Sequence, residues 1–142
     1  MKKSLFITLF FISIAVFSQE KYKASDYSLP NNVKSYNTFI YKYDVDLGKY
    51  FVIEKHIRIF EKGLLKYDYV LDNYLGRFSQ LKKLEYNDQN QLISIEEAED
   101  FENPQYYPYQ DFYYEKGKLM KISEVFGNKR VFTDFTYDGK GR

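Results

Sequence analysis

Hydrophobic and polar residues alternate along most of the chain between residues 39 and 137. Successive side chains of a strand point to opposite faces, so this alternation predicts strands with one buried and one wet face. Weaker alternation predicts four further strands, near residues 78–86, 92–97, 109–115 and 118–125. The clearest apolar series are Phe39, Tyr41, Tyr43 and Val45; Phe51, Ile53, Ile57 and Ile59; Leu65, Tyr67, Tyr69 and Leu71; and Val131, Thr133, Phe135 and Tyr137.

The seven glycines all lie outside the centres of the predicted strands. Connections such as Glu61-Lys62-Gly63 and Lys116-Gly117-Lys118 suit hairpin turns, because glycine adopts a positive φ without a steric penalty. Such short connections join antiparallel neighbours, since a parallel crossover needs a dozen or more residues. The sequence therefore predicts an all-β fold, an antiparallel meander of about eight strands in an open sheet or a sandwich.

One long stretch, residues 96–108, interrupts the alternation. It contains a cluster of acidic residues followed by Pro104 and Pro108. Proline has no N–H to donate to a strand neighbour. We expect an exposed, solvated loop here, with a short helical turn at residues 96–101; a hard cation held by these carboxylates is the less favoured alternative.

The N-terminus has the pattern of an export signal. Met1-Lys2-Lys3 precedes an apolar run at residues 5–17, and Val16-Phe17-Ser18 suits the positions before a signal-peptidase cut. The run is shorter than the roughly 20 apolar residues of a membrane-spanning helix. We expect an N-terminal signal helix at residues 1–18, a polar lead-in segment at 19–38 and an antiparallel β domain at 39–142.

The same pattern predicts export by the Sec route to the periplasm, the cell surface or the medium, with no membrane span after signal cleavage. The chain has no cysteine. Lipoprotein anchoring requires a cysteine to acylate, so we do not expect a lipoprotein, and disulfides cannot contribute to stability.

The composition narrows the possible chemistry. The formal net charge is only +1, with no clustered basic segment, so we expect no nucleic-acid partner. The single histidine, His56, alternates with Glu54 and Arg58 and is interpreted as a surface or structural residue. The segment Asp44-Val45-Asp46-Leu47-Gly48 lacks the distal ligands of a calcium loop and is read as a hairpin turn. We predict no catalytic residue, no metal site and no cofactor.

Tyrosines are concentrated near residue 110. Exposed tyrosines stack on ligands or anchor protein interfaces, so Tyr106, Tyr107, Tyr109 and Tyr113 are the candidate ligand or partner surface. The alternative is that alternate members of this group pack into the core and the others cover the sheet.

Three segments share a frame of tyrosine, a turn and a returning strand. They are 86–95, 114–122 and 137–142, which begin Tyr86-Asn87, Tyr114-Glu115 and Tyr137-Asp138. Over roughly residues 82–142 the chain resembles the YD repeats of RHS-type proteins. The resemblance implies β-hairpin repeats on a secreted or surface protein, and no particular chemistry.

The sequence thus predicts a non-enzymatic, extracytoplasmic β-sheet module for interaction or structure. Its partner would be an unidentified protein or glycan at the cell surface. One alternative is a carbohydrate- or cell-wall-binding module that uses the surface tyrosines. A second alternative is a secreted hydrolase, for which no paired-acid motif is visible.

Overall fold

The protein folds as one open antiparallel sheet, which confirms the all-β prediction and selects the open sheet over the sandwich. The computed structural model describes residues 22–138, so the predicted signal helix lies outside the described residues. Strand order follows chain order, which leaves the first and last strands as the two edges. The strands are β1 (Ser35–Asp44), β2 (Lys49–Glu61), β3 (Leu64–Asp72), β4 (Arg77–Tyr86), β5 (Leu92–Ala98), β6 (Tyr107–Glu115), β7 (Lys118–Phe126) and β8 (Lys129–Asp134).

The two short glycine connections form hairpin turns, as predicted. Lys62 and Gly63 have φ of 51° and 80°, and Lys116 and Gly117 have φ of 49° and 79°. Positive φ at both central residues is the conformation of a type I′ turn, whose twist matches that of the flanking strands. The glycine in each pair adopts this conformation without a Cβ clash.

Two turns at the opposite end of the sheet share the sequence Asp-x-x-Leu-Gly. In each, Oδ1 of the aspartate accepts a hydrogen bond from the leucine N–H, at 2.9 and 3.0 Å. The glycines have φ of 62° and 64°. The predicted hairpin turn is therefore present and has a second copy. The two segments are Asp44-Val45-Asp46-Leu47-Gly48, between β1 and β2, and Asp72-Asn73-Tyr74-Leu75-Gly76, between β3 and β4.

The N-terminal segment covers one face of the sheet. Its 3-10 helix, Ala24–Tyr27, sits above the β2–β3 turn, where the Ala24 N–H donates to the Gly63 carbonyl at 2.8 Å. Leu65 donates its N–H to the Tyr22 carbonyl, also at 2.8 Å. The predicted lead-in segment thus holds a docked segment and the first residues of β1. The buried cluster beneath it comprises Ala24, Phe60, Leu65, Leu84, Leu92 and Ile95.

The loop between β5 and β6 covers part of the opposite face. The ring of Phe101 stacks on Phe78 with centroids 4.0 Å apart and meets Tyr69 edge-on at 5.7 Å. Only residues 99–106 form this loop, so the expected loop at 96–108 is too long, and the expected helical turn at 96–101 is absent from this described part of the chain.

Charge pairing explains why β5 continues through the acidic cluster. Glu96 lies opposite Lys83 in the sheet, and Glu97 lies opposite Lys82. Opposite charges facing each other across strands stabilise the pairing. Pro108 is tolerated in β6 because it sits opposite Glu96 at an irregularity of the ladder.

Candidate functional site

The four predicted tyrosines do not lie on one face of the sheet. Lys82 and Lys83 are consecutive residues of β4, so their side chains point to opposite faces. The Lys82 ammonium lies over the ring of Tyr109 at 5.1 Å, and that of Lys83 lies over Tyr106 at 5.7 Å. Tyr109 and Tyr106 are therefore on opposite sides of the sheet.

Two of the four tyrosines pack against other side chains, and two are exposed. Tyr109 packs against the buried cluster, and the hydroxyl of Tyr106 lies 3.4 Å from that of Tyr69. Burial and this hydrogen bond raise the pKa of Tyr69. Tyr107 is 44% exposed and Tyr113 is 47% exposed, at opposite ends of β6. The sheet brings no three of these tyrosines into a flat platform.

A different region carries many of the exposed apolar side chains. The alternation in β1 predicts a buried face, yet Phe39, Tyr41 and Tyr43 are 46%, 58% and 48% exposed. The reason is that β1 is the edge strand of a single-layer sheet, so its faces are covered only where another segment packs on them. Because β3 pairs with β2 only from Glu54 onward, residues 41–53 project beyond β3 as a two-stranded ribbon with exposed aromatic side chains on both faces.

The turns at this end of the sheet are also apolar. Val45 and Leu47 are 82% and 62% exposed, and Tyr74 and Leu75 are 90% and 55% exposed. We call the ribbon 41–53 together with turn 73–76 the apolar end. At the opposite end, the connections 62–63, 87–91 and 116–117 contain no hydrophobic residue. Exposed apolar patches that are rimmed by polar groups mark interaction sites.

A cleft of about 390 Å³ separates the ribbon from turn 73–76. Phe51, Ile53 and Tyr74 contribute its apolar walls, and Lys42 and Asp44 its charged rim. Asn73 fixes the turn against the ribbon, since its N–H donates to the Ile53 carbonyl at 3.0 Å. Its side-chain amide donates to the Val52 carbonyl at 3.3 Å. The cleft is therefore a preformed concavity suited to an apolar side chain.

The single histidine of the chain contacts two charged residues of its own strand. Imidazole Nε2 of His56 lies 2.5 Å from the Glu54 carboxylate, and its Nδ1 lies 3.1 Å from the Arg58 guanidinium. Within residues 22–138, no group of three His, Cys, Asp or Glu side chains converges as a metal site would require. The described part of the chain contains no helix of the length and apolarity needed to cross a membrane.

The comparisons with known proteins identify no relative. No protein-family model, curated protein or solved structure matches the chain. The resemblance to YD repeats therefore stays a prediction.

Two of the three tyrosine frames make the same contact. The Tyr86 hydroxyl donates to the Leu65 carbonyl at 2.8 Å, and the Tyr137 hydroxyl donates to the Leu119 carbonyl at 2.6 Å. Each carbonyl belongs to the second residue after the glycine of a hairpin turn. These tyrosines thus brace earlier hairpins, which is a structural use.

Sequence reasoning missed the apolar end. The available signal was the pair of Asp-x-x-Leu-Gly turns, which carry hydrophobic residues where turns are ordinarily polar. A hydrophobic residue at a turn tip cannot be buried by its own hairpin, so its presence in both turns indicates a surface that contacts something else.

Proposed function

We propose that this protein is a non-enzymatic, exported interaction module that binds a protein partner through its apolar end. The observation that carries the proposal is the two-stranded ribbon, which projects exposed aromatic and aliphatic side chains beyond the sheet and forms one wall of a preformed cleft. Isolated two-stranded ribbons are only marginally stable in water, so a ribbon of this composition gains most from a covering partner. Export is supported by the signal pattern at residues 1–18.

The composition of the apolar end favours a protein over a lipid surface. Its charges balance in number, because the two basic residues Lys42 and Lys49 are matched by the two acidic residues Asp44 and Asp46. Binding to an anionic membrane surface relies on an excess of basic residues, which is absent from this region. Protein interfaces instead combine an aromatic centre, in which tyrosine is enriched, with a polar rim.

The edge position of β1 adds a second means of attachment. This ten-residue edge strand carries only Lys42 and Asp44 as charged residues. Proteins usually protect long edges with lysine, proline or a covering element. An extended segment of the partner can therefore pair with the β1 backbone while another part of the partner reaches the cleft.

The proposal is tested by site-specific photocrosslinking of the chain from Gln19 onward, the form expected after signal cleavage. A photoreactive residue at Leu47 is expected to capture one discrete protein from an envelope extract of the producing cell. The same residue at Lys62, in a turn at the polar end, is the matched control and is expected to capture nothing. The captured protein is then purified, and its affinity for the unmodified module is measured.

The double variant Leu47→Asp, Tyr74→Asp is expected to weaken binding to the purified partner by about 100-fold or more, because truncation of central anchors costs 2 kcal/mol or more each. Its unfolding free energy should stay within about 0.5 kcal/mol of the parent value, since both side chains are exposed. Equal crosslinking from both ends, or sedimentation with anionic phospholipid vesicles in place of a protein partner, would overturn the proposal.

A further inference from the structure

A notch interrupts the sheet where β5 is shorter than its neighbours. The pairing of β4 with β5 begins at Leu81 opposite Ala98, so residues 77–80 of β4 have no strand beside them on that side. The following loop does not fill the gap, because its Phe101 folds onto one face of the sheet and stacks on Phe78. A cavity of about 580 Å³ remains, within the size range of small-molecule sites.

The notch combines an aromatic ring with polar side chains that can form further hydrogen bonds. Among the described residues, the Arg77 guanidinium and the Gln80 amide form no side-chain hydrogen bond or ion pair. The Tyr107 hydroxyl donates to Glu99 over a long 3.4 Å. Glu97 lies 3.7 Å from the Lys82 ammonium, which is beyond hydrogen-bond distance. Each carboxylate can therefore accept further donors.

The charges of the notch favour a neutral ligand. An anion attracted by Arg77 would meet the carboxylates of Glu97 and Glu99 on the same lining. A cation attracted by those carboxylates would meet the unpaired guanidinium. A neutral polyhydroxylated molecule avoids both conflicts, because each hydroxyl both donates and accepts hydrogen bonds.

The apolar part of the lining selects among neutral ligands. Phe78, Leu81 and Ala98 contribute apolar surface, and the exposed ring of Tyr107 borders the opening. A sugar ring presents C–H groups on its faces and hydroxyls around its rim. It therefore matches a site that places an aromatic ring and apolar side chains beside convergent polar groups.

We propose that the notch between β4 and β6 binds a short saccharide, with Tyr107 packed against a sugar ring. Arg77 donates to ring hydroxyls, Glu99 accepts from them, and Gln80 does both. This site is separate from the cleft at the ribbon, although Leu75 of turn 73–76 also lines it, so it borders the apolar end.

The test is an NMR titration of the ¹⁵N-labelled chain from Gln19 with three trisaccharides: chitotriose, maltotriose and xylotriose, each to about 10 mM, where weak site binding is still detected. At least one is expected to shift the backbone amides of Gln80, Ala98 and Glu99. Lysine amide and inorganic phosphate, taken to the same concentration, are expected to leave these amides unshifted.

Matched variants establish which ring binds the sugar. Tyr107→Ala is expected to weaken saccharide binding about tenfold, as loss of a tyrosine anchor does. Tyr113→Ala removes an equally exposed tyrosine from the same strand and is expected to leave binding unchanged. Arg77→Gln, at an exposed and unpaired side chain, is expected to weaken binding while the spectrum of the free protein stays folded.

Three results would overturn the proposal: no shift at the notch with any trisaccharide, equal weakening by Tyr113→Ala and Tyr107→Ala, or shifts produced by phosphate or lysine amide in place of sugar. None of these results bears on the partner at the apolar end, because the ribbon and its cleft retain their side chains in all three variants.

Discussion

At the scale of single residues, an unusual row of charges crosses the centre of the sheet. Arg58, Asp68, Lys82 and Glu97 lie directly opposite one another in successive strands, with alternating sign. A slip of any strand by one residue would move its charge to the other face, so this row helps to specify the register. This arrangement is unfavourable for the Asp68 carboxylate. Its Oδ1 is buried and lies 3.5 Å from Arg58 Nε, too far for a full hydrogen bond.

Two opposing effects act on the Asp68 carboxyl. Burial raises its pKa above the ordinary value of 3.8, and the positive charges of Arg58, His56 and Lys82 lower it by less, so the net shift is upward. A carboxyl with a raised folded-state pKa contributes stability below its unfolded pKa and loses that contribution as pH rises through the folded value. Asp68 therefore contributes less to the stability of the folded state at neutral pH than at low pH, where it is protonated.

The variant Asp68→Asn makes this visible, because asparagine does not titrate. We expect the unfolding free energy of the parent, relative to the variant, to fall as pH rises from the ordinary aspartate pKa of 3.8 towards neutrality. Urea unfolding at several pH values measures this difference. A relative gain for the parent over the same window would show that the ion pair with Arg58 outweighs burial.

At the scale of elements, the number of strands and the hairpin turns were predictable. Alternation and glycine placement are local signals, so they survive whatever the strand packs against. Whether a strand face is buried depends instead on segments that are distant in the sequence. The series Phe39, Tyr41 and Tyr43 has the same alternation as a buried strand, and it is uncovered because β1 is the edge of a single-layer sheet. The acidic residues of β5 were mistaken for a loop for a similar reason, since their lysine partners lie on β4.

The N-terminal segment shows how one face of a single-layer sheet acquires a core. A polar lead-in segment was predicted there. The structure docks it through Ala24, which is 0% exposed although its neighbour Ser25 is exposed. A small residue at this point lets the segment approach the β2–β3 turn closely enough for backbone hydrogen bonds.

Substitutions at these neighbouring positions test that role. Ala24→Glu would bury an unpaired carboxylate, so we expect it to lower the unfolding free energy by about 3–5 kcal/mol. Ser25→Glu adds the same side chain one residue away and is expected to change it by no more than about 0.5 kcal/mol. Thermal unfolding of both variants provides the comparison. Equal stability of the two would mean that the segment is not docked in solution.

At the scale of the whole molecule, stability and binding surface are separated along the sheet. Buried side chains concentrate in the middle strands, where Leu65, Leu84 and Ile95 are each no more than 2% exposed. The edge strand β8 has no buried residue, and the ribbon projects its apolar side chains into solvent. Apart from the two apolar turns, the candidate binding surfaces were not predictable, because the ribbon and the notch arise where strands of unequal length end beside one another.

This separation predicts an uneven pattern of amide hydrogen exchange. Opening of a strand costs free energy in proportion to the apolar contacts that it breaks, so amides in the centres of β3, β4 and β5 should exchange most slowly. Amides of the ribbon 41–53 and of β8 should exchange at least about tenfold faster, because opening them uncovers little that was buried. Partner binding at the apolar end should then slow exchange in the ribbon and leave β8 unchanged, which makes β8 an internal control in the same NMR experiment. Protection that is equal in β8 and β4 before binding, or that rises equally in β8 and the ribbon on binding, would show that the sheet opens as one unit and that its ends are not independent.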